Sequence, residues 1–240
     1  MKSQYALPIT IVIAGLLIAG AIFLVAQKPG GSSTGPQASD TTPVPPINAN
    51  DHVLGNPDAA VVVIEYMDLE CQHCKLFEAT MYQIMGYYGL TGNVAWVSRP
   101  MPLAQIHSKA PQEAQAAECA AELGGNDAYW KYIDAIFAVT PSDNGLDLNQ
   151  LPVIAKNNGL DVTQFNSCLA SNKYAKKVQD HYAEAVAAGA QGTPHIVITG
   201  KGGASLTLEG AQPYSSMRSA IDQMLEAAGV TAVPSDTSTQ

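Results

Sequence analysis

The feature that most constrains the fold of this chain is a C-x-x-C motif, from Cys71 to Cys74, between a predicted strand and a predicted helix. Residues 61–66 are apolar and mostly β-branched, which predicts a buried strand, and residues 75–81 carry apolar side chains at helical spacing. Cys71 therefore precedes the free N–H groups of a first helical turn, where the helix dipole favours an anion. We expect its thiol to lose a proton easily, and the thiolate is the species that attacks a disulfide.

A structural zinc knuckle or an inert disulfide is the alternative interpretation of this motif. Zinc in structural sites normally has four ligands, but the sequence contains no second C-x-x-C and no H-x(3–5)-H motif. We therefore expect redox chemistry and no metal. No bound cofactor is needed either, because two thiols carry the electrons themselves.

The N-terminal part predicts a membrane attachment. Residues 8–26 form an uncharged apolar run that is long enough to cross a bilayer. We expect a transmembrane anchor there, after a short cytoplasmic N-terminus at residues 1–7; a cleaved signal peptide is the alternative. Residues 27–50 are rich in Gly, Ser, Thr and Pro and predict a flexible linker, and residues 229–240 predict a polar tail.

The charge of the chain narrows the choice of partners. The formal net charge is −9, and Lys and Arg form no cluster. An acidic surface of this kind argues against nucleic acid or an anionic membrane surface as a binding partner. The length of 240 residues suits one large domain or a domain with an insertion.

The predicted elements follow the order β-α-β, a block of helices, then β-β-α. Strands at 61–66 and 93–98, with a helix at 74–88 between them, predict parallel strands and a right-handed crossover. Only helices are predicted in the block: 111–123, 127–138, 148–157, 161–170 and 173–188. A hairpin with strands at 195–199 and 205–208 and a helix at 213–228 complete the order.

Two side chains close to the motif are candidates for its chemistry. Glu65 precedes Cys71 by six residues and could exchange protons with Cys74 if it is buried, although its spacing alone leaves a solvent-facing position open. His73 lies inside the motif and could favour the Cys71 thiolate, which would make the disulfide a stronger oxidant.

A third candidate is the Thr193-Pro194 pair that directly precedes the predicted strand at 195–199. Proline cannot donate a hydrogen bond in a sheet, so it belongs at the first residue of a strand or in a bend. A trans bond is the commoner state, and the sequence alone favours it; a cis bond stays open.

Four segments together resemble the DsbA-like thiol:disulfide oxidoreductases of the thioredoxin superfamily: VVVIEYMDLECQHCK, AAECA, FNSCL and GTPHIVI. The similarity extends over about residues 51–228. It implies an α/β thioredoxin fold, formed by residues 51–103 and 190–228, with an inserted all-helical domain at residues 104–189. This agrees with the order of elements predicted above.

The resemblance also implies roles for single residues. Cys71 would be the exposed nucleophile and Cys74 the resolving thiol, with Glu65 as a buried carboxylate beneath them. Pro194 would be a cis-proline beside the dithiol. Thr193 would present backbone groups that pair with an extended substrate segment.

Two departures leave the direction of electron flow open. The best-known oxidants of this family carry Pro-His between the cysteines, whereas this chain has Gln72-His73, and Gln72 would face the substrate. Thr193 is also common in isomerase and reductase branches. We expect an enzyme that forms disulfides in secreted or cell-envelope polypeptides; an isomerase or reductase, or a metal-handling C-x-x-C module, is the alternative.

The expected partners follow from that reaction. Reduced or unfolded secreted polypeptides would be the substrates, and a membrane partner or a small-molecule oxidant would reoxidise the dithiol. The isomerases of this superfamily dimerise through an extra folded N-terminal domain, whereas this chain has a short linker there. We therefore expect a monomer.

Cys119 and Cys168 lie in two predicted helices of the insertion, each beside alanine or leucine and outside any C-x-x-C motif. We expect a structural disulfide between them; a second redox relay or two free thiols are the alternatives. Such a disulfide would place the domain in an oxidising compartment outside the cytoplasm. His107, in a predicted loop, is given no role.

Overall fold

A computed structural model describes residues 44–231 of the chain. In this part, helices cover both faces of a five-stranded sheet. The strands are β1 (His52–Gly55), β2 (Val61–Met67), β3 (Val94–Pro100), β4 (His195–Gly200) and β5 (Ser205–Glu209). The helices are α1 (Gln72–Tyr88), α2 (Ala110–Val139), α3 (Gln150–Asn157), α4 (Val162–Ala170), α5 (Ala175–Ala187) and α6 (Tyr214–Ala227).

The sheet is mixed, with the strand order β1-β3-β2-β4-β5. Strands β2 and β3 are parallel, and the other neighbouring pairs are antiparallel. The central strand β2 is buried almost throughout, as its continuous apolar sequence predicts. The β2-α1-β3 crossover therefore confirms the predicted βαβ unit and places the C-x-x-C motif at the carboxyl end of the central strand.

Helices α1 and α6 cover the first face of the sheet. Phe77 and Met81 from α1, together with Met217 and Ile221 from α6, pack with Trp96 of β3, and all five are fully buried. The same apolar cluster continues into helices α2 to α4. The helical region therefore shares one core with this face of the sheet.

Helix α5 covers the second face. Ala185 packs there against Tyr66 of β2, Val97 of β3 and Val197 of β4. The sequence assigned α5 to the helical insertion that ends at residue 189, but in the structure this helix lies against the sheet. The predicted domain boundaries themselves stay a prediction.

A chain segment before β1 is fixed on the second face as well. Val44 and Ile47 contact the apolar cluster of that face. The buried guanidinium of Arg99 donates to both carboxylate oxygens of Asp51, at 2.8 and 2.9 Å, and to the carbonyl of Pro45 at 3.3 Å. Val44, Pro45 and Ile47 of the predicted linker thus contact the folded unit.

The helices between β3 and β4 are cross-linked. Helix α2 consists of two segments that meet at Gly125, whose φ of 74° and ψ of −168° are not helical. This agrees with the two helices that the sequence predicts on either side. A disulfide joins Cys119 of α2 to Cys168 of α4, and Asp161 caps α4 by accepting from the Gln164 N–H at 2.9 Å.

The predicted anchor at residues 8–26 lies outside the described residues, as do residues 1–7, the linker up to residue 43 and the tail from residue 232. Among the helices of residues 44–231, none combines the length and the apolar character needed to span a bilayer.

Candidate active site

The two cysteines of the motif occupy different environments. Cys71 is the N-cap residue of α1, with an extended backbone at φ −80° and ψ 120°, and 7% of its surface is exposed. Cys74 lies in the first turn of the helix and is fully buried. Both are free thiols in the structure. Only Cys71 is therefore open to attack from outside.

The surroundings of Cys71 stabilise a thiolate. Hydrogen bonding from Cys74 is the main cause that lowers its pKa; burial opposes this, and Thr193 and the backbone N–H groups of Cys74 and His73 lower the pKa further. The result is a pKa of about 5. Cys71 is thus ionised at neutral pH, as its place at the helix start predicts.

Cys74 is shifted in the opposite direction. Burial, its hydrogen bond to Cys71 and the negative charge of Glu65 raise the pKa of Cys74 well above its ordinary value. The backbone N–H of Asp68 lies 3.5 Å from its sulfur. The dithiol therefore carries one negative charge on the outer sulfur and one proton on the inner sulfur.

Glu65 is the carboxyl group below the dithiol. Alternation along β2 places it on the same face as Val63 and Met67, towards α1, and only 1% of it is exposed. Trp96 Nε1 donates to one carboxyl oxygen at 3.0 Å. Burial raises the pKa of Glu65 to about 8. It does not face solvent, and proton exchange between this group and Cys74 stays a prediction.

Thr193 and Pro194 lie against the outer sulfur. The bond between them is cis, as the resemblance implied and contrary to the trans state that frequency favours. The Cys71 sulfur lies 3.4 Å from the main-chain carbonyl oxygen of Thr193, to which the protonated form of the thiol can donate. The loop before β4 and the start of α1 therefore form one site.

Gln72 and His73 are both exposed beside Cys71. The backbone N–H of His73 contributes to the low pKa of Cys71. In the part of the chain that the structure describes, the imidazole of His73 makes no hydrogen bond. The electrostatic role predicted for this ring stays a prediction, and so does contact of Gln72 with substrate.

A second histidine near the site was given no role from the sequence. His107 is buried, and its Nδ1 lies 2.9 Å from the Asp68 carboxylate, just before the motif. The signal that could have found it is the parallel pairing of β2 and β3, since carboxyl ends of parallel strands meet at one edge of a sheet. Within residues 44–231, no cluster of three or more His, Cys, Asp or Glu side chains is arranged as a metal site.

Comparison with known proteins agrees with this geometry. The family model described as thioredoxin matches residues 48–235. The crystal structure of Pseudomonas aeruginosa DsbA2 is 30% identical with a TM-score of 0.63, and the match covers 73% of this chain and 95% of that one. Wolbachia pipientis alpha-DsbA1 is 25% identical with a TM-score of 0.66, over 76% of this chain and 94% of that one.

A curated relative is much longer. The Na(+)/H(+) antiporter NhaA of Herminiimonas arsenicoxydans is 30% identical over 188 residues, which are 77% of this chain and 28% of the relative. The chain spans about a quarter of the length of the curated relatives it matches. The match of the family model over most of the chain, together with the DsbA structures, shows that the chain belongs to the thioredoxin family as a DsbA-like thiol–disulfide oxidoreductase.

Proposed function

We propose that this chain introduces disulfide bonds into secreted or cell-envelope polypeptides by exchange at Cys71 and Cys74. The observation that carries the proposal is the opposite state of the two thiols, one ionised and accessible and the other protonated and fully buried. A stabilised Cys71 thiolate favours the reduced form of the enzyme. The oxidised form is then a strong oxidant of other thiols.

The reaction begins with the Cys71–Cys74 disulfide. A substrate thiolate attacks the Cys71 sulfur, the bond to Cys74 breaks, and Cys74 leaves with the electron pair and takes a proton that Glu65 can supply. A second substrate thiolate then attacks the substrate sulfur of the mixed disulfide and releases Cys71 as a thiolate. The substrate has lost two electrons and the enzyme has gained them.

The neighbouring residues suit an extended substrate. The main-chain groups of Thr193 lie beside Cys71, so a polypeptide bound across the site can pair with them as an added strand. Exposed Gln72 borders the same opening. We assign Pro194 to holding this loop against the motif.

The proposed reaction requires an oxidising compartment. The Cys119–Cys168 disulfide supports a location outside the cytoplasm, where such bonds persist. The apolar run at residues 8–26 would attach the domain to the membrane. A membrane protein or a small oxidant would reoxidise the dithiol there.

The equilibrium of the Cys71–Cys74 pair with glutathione tests the direction of the reaction. We expect a potential nearer to roughly −120 mV, typical of strong oxidants, than to roughly −270 mV, typical of reductases. Oxidation of a reduced, unfolded substrate should be fast, and refolding of a scrambled one slow. A potential near that of reductases, or efficient refolding of the scrambled substrate, would assign the chain to the reductases or isomerases instead.

Variants of the motif test the roles of the two thiols. Cys71→Ser should abolish exchange. In Cys74→Ser, the Cys71 thiolate should attack a polypeptide that already contains a disulfide and stay joined to it as a mixed disulfide, because no inner thiol is left to release it. The double variant Cys119→Ala/Cys168→Ala is the matched control and should retain exchange. Stoichiometric metal in the reduced protein, lost in Cys71→Ser, would favour the metal-handling alternative.

A further inference from the structure

Asp68 makes hydrogen bonds both within the active-site turn and to the loop after β3. Its backbone N–H lies 3.5 Å from the Cys74 sulfur, and its carbonyl accepts from the Cys71 N–H at 3.1 Å. Its carboxylate accepts from the N–H groups of Glu70 and Leu103, each at 2.7 Å. One buried residue thus fixes the turn between β2 and α1.

His107 completes this arrangement from the loop after β3. Its Nδ1 donates to the Asp68 carboxylate at 2.9 Å, and its Nε2 lies 3.5 Å from Asp143. The side chain is 7% exposed, so the surrounding protein screens its charge less than water would. Because two carboxylates face the ring, a protonated imidazole is stabilised in this position.

We propose that His107, held by Asp68, is a positioning residue that stabilises the Cys71 thiolate and thereby strengthens the enzyme as an oxidant. This inference rests on the proposed function and adds a second source of thiolate stabilisation to the helix start. His107 does not contact the sulfurs. It acts through its charge and through the turn that Asp68 holds.

The direction of the electrostatic effect supports the proposal. Burial lowers the pKa of His107, but the hydrogen bond to Asp68 and the charges of Asp68 and Cys71 outweigh it and raise this pKa. Coupling between two charged sites is reciprocal. If the Cys71 thiolate favours the protonated imidazole, the protonated imidazole favours the thiolate.

Other ionisable groups near the ring belong to three parts of the chain. Those that face it or its partners are Asp68, Glu70 and Cys71 of the active-site turn, Lys109 and Glu113 at the start of α2, and Asp143 of the following loop. Asp143 is mostly exposed, and Glu113 is influenced mainly by Glu70 and not by the ring. Asp68 is therefore the buried carboxylate that holds His107 directly.

A redox-linked proton uptake follows from this coupling. Reduction creates a negative charge on Cys71, so the reduced form binds the His107 proton more tightly than the disulfide form does. The proton on His107 should stabilise the reduced form at pH values below the raised pKa of His107. This stabilisation should disappear as the pH rises through that pKa.

The test uses His107→Asn, whose amide can still donate to Asp68 but carries no charge. Thiolate absorbance of the reduced protein should titrate near pH 5 in the wild type and at a higher pH in the variant. The equilibrium with glutathione should shift towards the disulfide form by about threefold or more. The difference in the glutathione equilibrium between the wild type and the variant should vanish at high pH, where His107 is neutral.

The matched control is His52→Asn, another buried histidine paired with a carboxylate, that of Glu118 at 3.0 Å, but on the edge strand β1. It should leave the titration and the glutathione equilibrium unchanged. Equal thiolate titrations and equal glutathione equilibria in the wild type and both variants would overturn the role of His107 but would leave the proposed function intact. A wild type that does not exchange with glutathione at all would overturn the proposed function.

A measurement on the wild type covers the case in which His107→Asn does not fold. Titration of the His107 ring by NMR should give a higher midpoint in the reduced protein than in the oxidised protein. The chemical shifts of the His52 ring in the same spectra are the internal reference and should not differ between the two states. Equal midpoints for His107 in the two redox states would contradict the proposal.

Discussion

The carboxyl groups of Glu70 and Glu113 are neighbours and fully buried, directly behind the active-site turn. Glu70 immediately precedes Cys71, and Glu113 lies in the first turn of α2. Glu70 also accepts from the Gly145 N–H at 3.2 Å. Burial and the neighbouring Glu70 raise the pKa of Glu113 to about 9, so Glu113 keeps its proton beside the active-site turn at neutral pH.

The first prediction concerns the proton on Glu113. Between about pH 4.5 and 9 the folded state holds a proton on Glu113 that the unfolded chain does not, so the free energy of unfolding falls as the pH rises through this window. Glu113→Gln keeps a hydrogen-bond donor and cannot titrate. As the pH rises through this window, the free energy of unfolding of the variant, measured in urea, should increase relative to that of the wild type by up to about 1.4 kcal/mol per pH unit.

Glu226→Gln is the matched control, because Glu226 is an exposed glutamate of α6. Its stability should follow the wild type at every pH. If the free energies of unfolding of Glu113→Gln and the wild type changed with pH in parallel, Glu113 would be ionised in the folded protein and the prediction would be wrong.

The second prediction concerns proton transfer to the inner sulfur. Glu65→Gln can still accept from Trp96 but cannot give or take a proton, so the steps that protonate or deprotonate Cys74 should slow by about 10²-fold near neutral pH. The wild-type rate should change with a pKa near 8, and the variant should lack this change. Stopped-flow tryptophan fluorescence can follow exchange, since Trp96 contacts the site.

Thermal unfolding of Glu65→Gln should remain cooperative, which separates the kinetic effect from a loss of structure. A variant that exchanges at the wild-type rate at every pH would exclude Glu65 as the proton donor.

The third prediction concerns the disulfide of the helical region. Cys119 and Cys168 are separated by 49 residues, and closing a loop of this size restricts the unfolded chain by about 4 kcal/mol in the chain-entropy model. Cys119→Ala/Cys168→Ala should lose about this much unfolding free energy in urea. Its exchange rate, measured well below the unfolding transition, should stay close to that of the wild type. Loss of exchange in a folded variant would instead indicate a redox relay.

The fourth prediction concerns the ion pair on the second face of the sheet. Burial raises the pKa of Asp51, but the hydrogen bond and the charge of Arg99 outweigh it and lower this pKa. The pair therefore stabilises the fold above about pH 4, and this contribution is lost as the pH falls further. Asp51→Asn should cost up to about 3 kcal/mol at pH 7, because it removes one of the carboxylates that neutralise the buried Arg99 and leaves that of Glu184.

Acid unfolding monitored by circular dichroism checks the direction in which the stability changes with pH. Asp51→Asn should lose less stability than the wild type between pH 4 and 2. The exposed Asp58 provides the control, since Asp58→Asn should behave as the wild type does. Equal stability of Asp51→Asn and the wild type at pH 7 would contradict the role of the pair.

Most of the sheet and the helices could be predicted because each has a local pattern. The apolar run of β2 and the caps and apolar spacings of the helices involve residues that are close together in the sequence. Strand β1 could not be found in this way, since His52–Gly55 has only four residues and ends in glycine. It pairs as a strand because the edge of β3 is available to it.

The motif chemistry could also be predicted, with Glu65 and the Thr193-Pro194 pair beside it, whereas the buried contacts behind the active-site turn could not. His107 and Asp68 are 39 residues apart, and Glu70 and Glu113 are 43 residues apart, so no local pattern joins them. Glutamate is normally exposed, and the burial of two such side chains depends on how α2 packs behind the turn. Tertiary packing decides these contacts.

The cross-link between Cys119 and Cys168 also bears on how the protein itself is produced. A newly synthesised copy carries four thiols, and two of them must be joined across α2 and α4 before the copy is complete. Under the proposed function, these two thiols are a substrate like any other. A mature copy can therefore form this disulfide in a new copy.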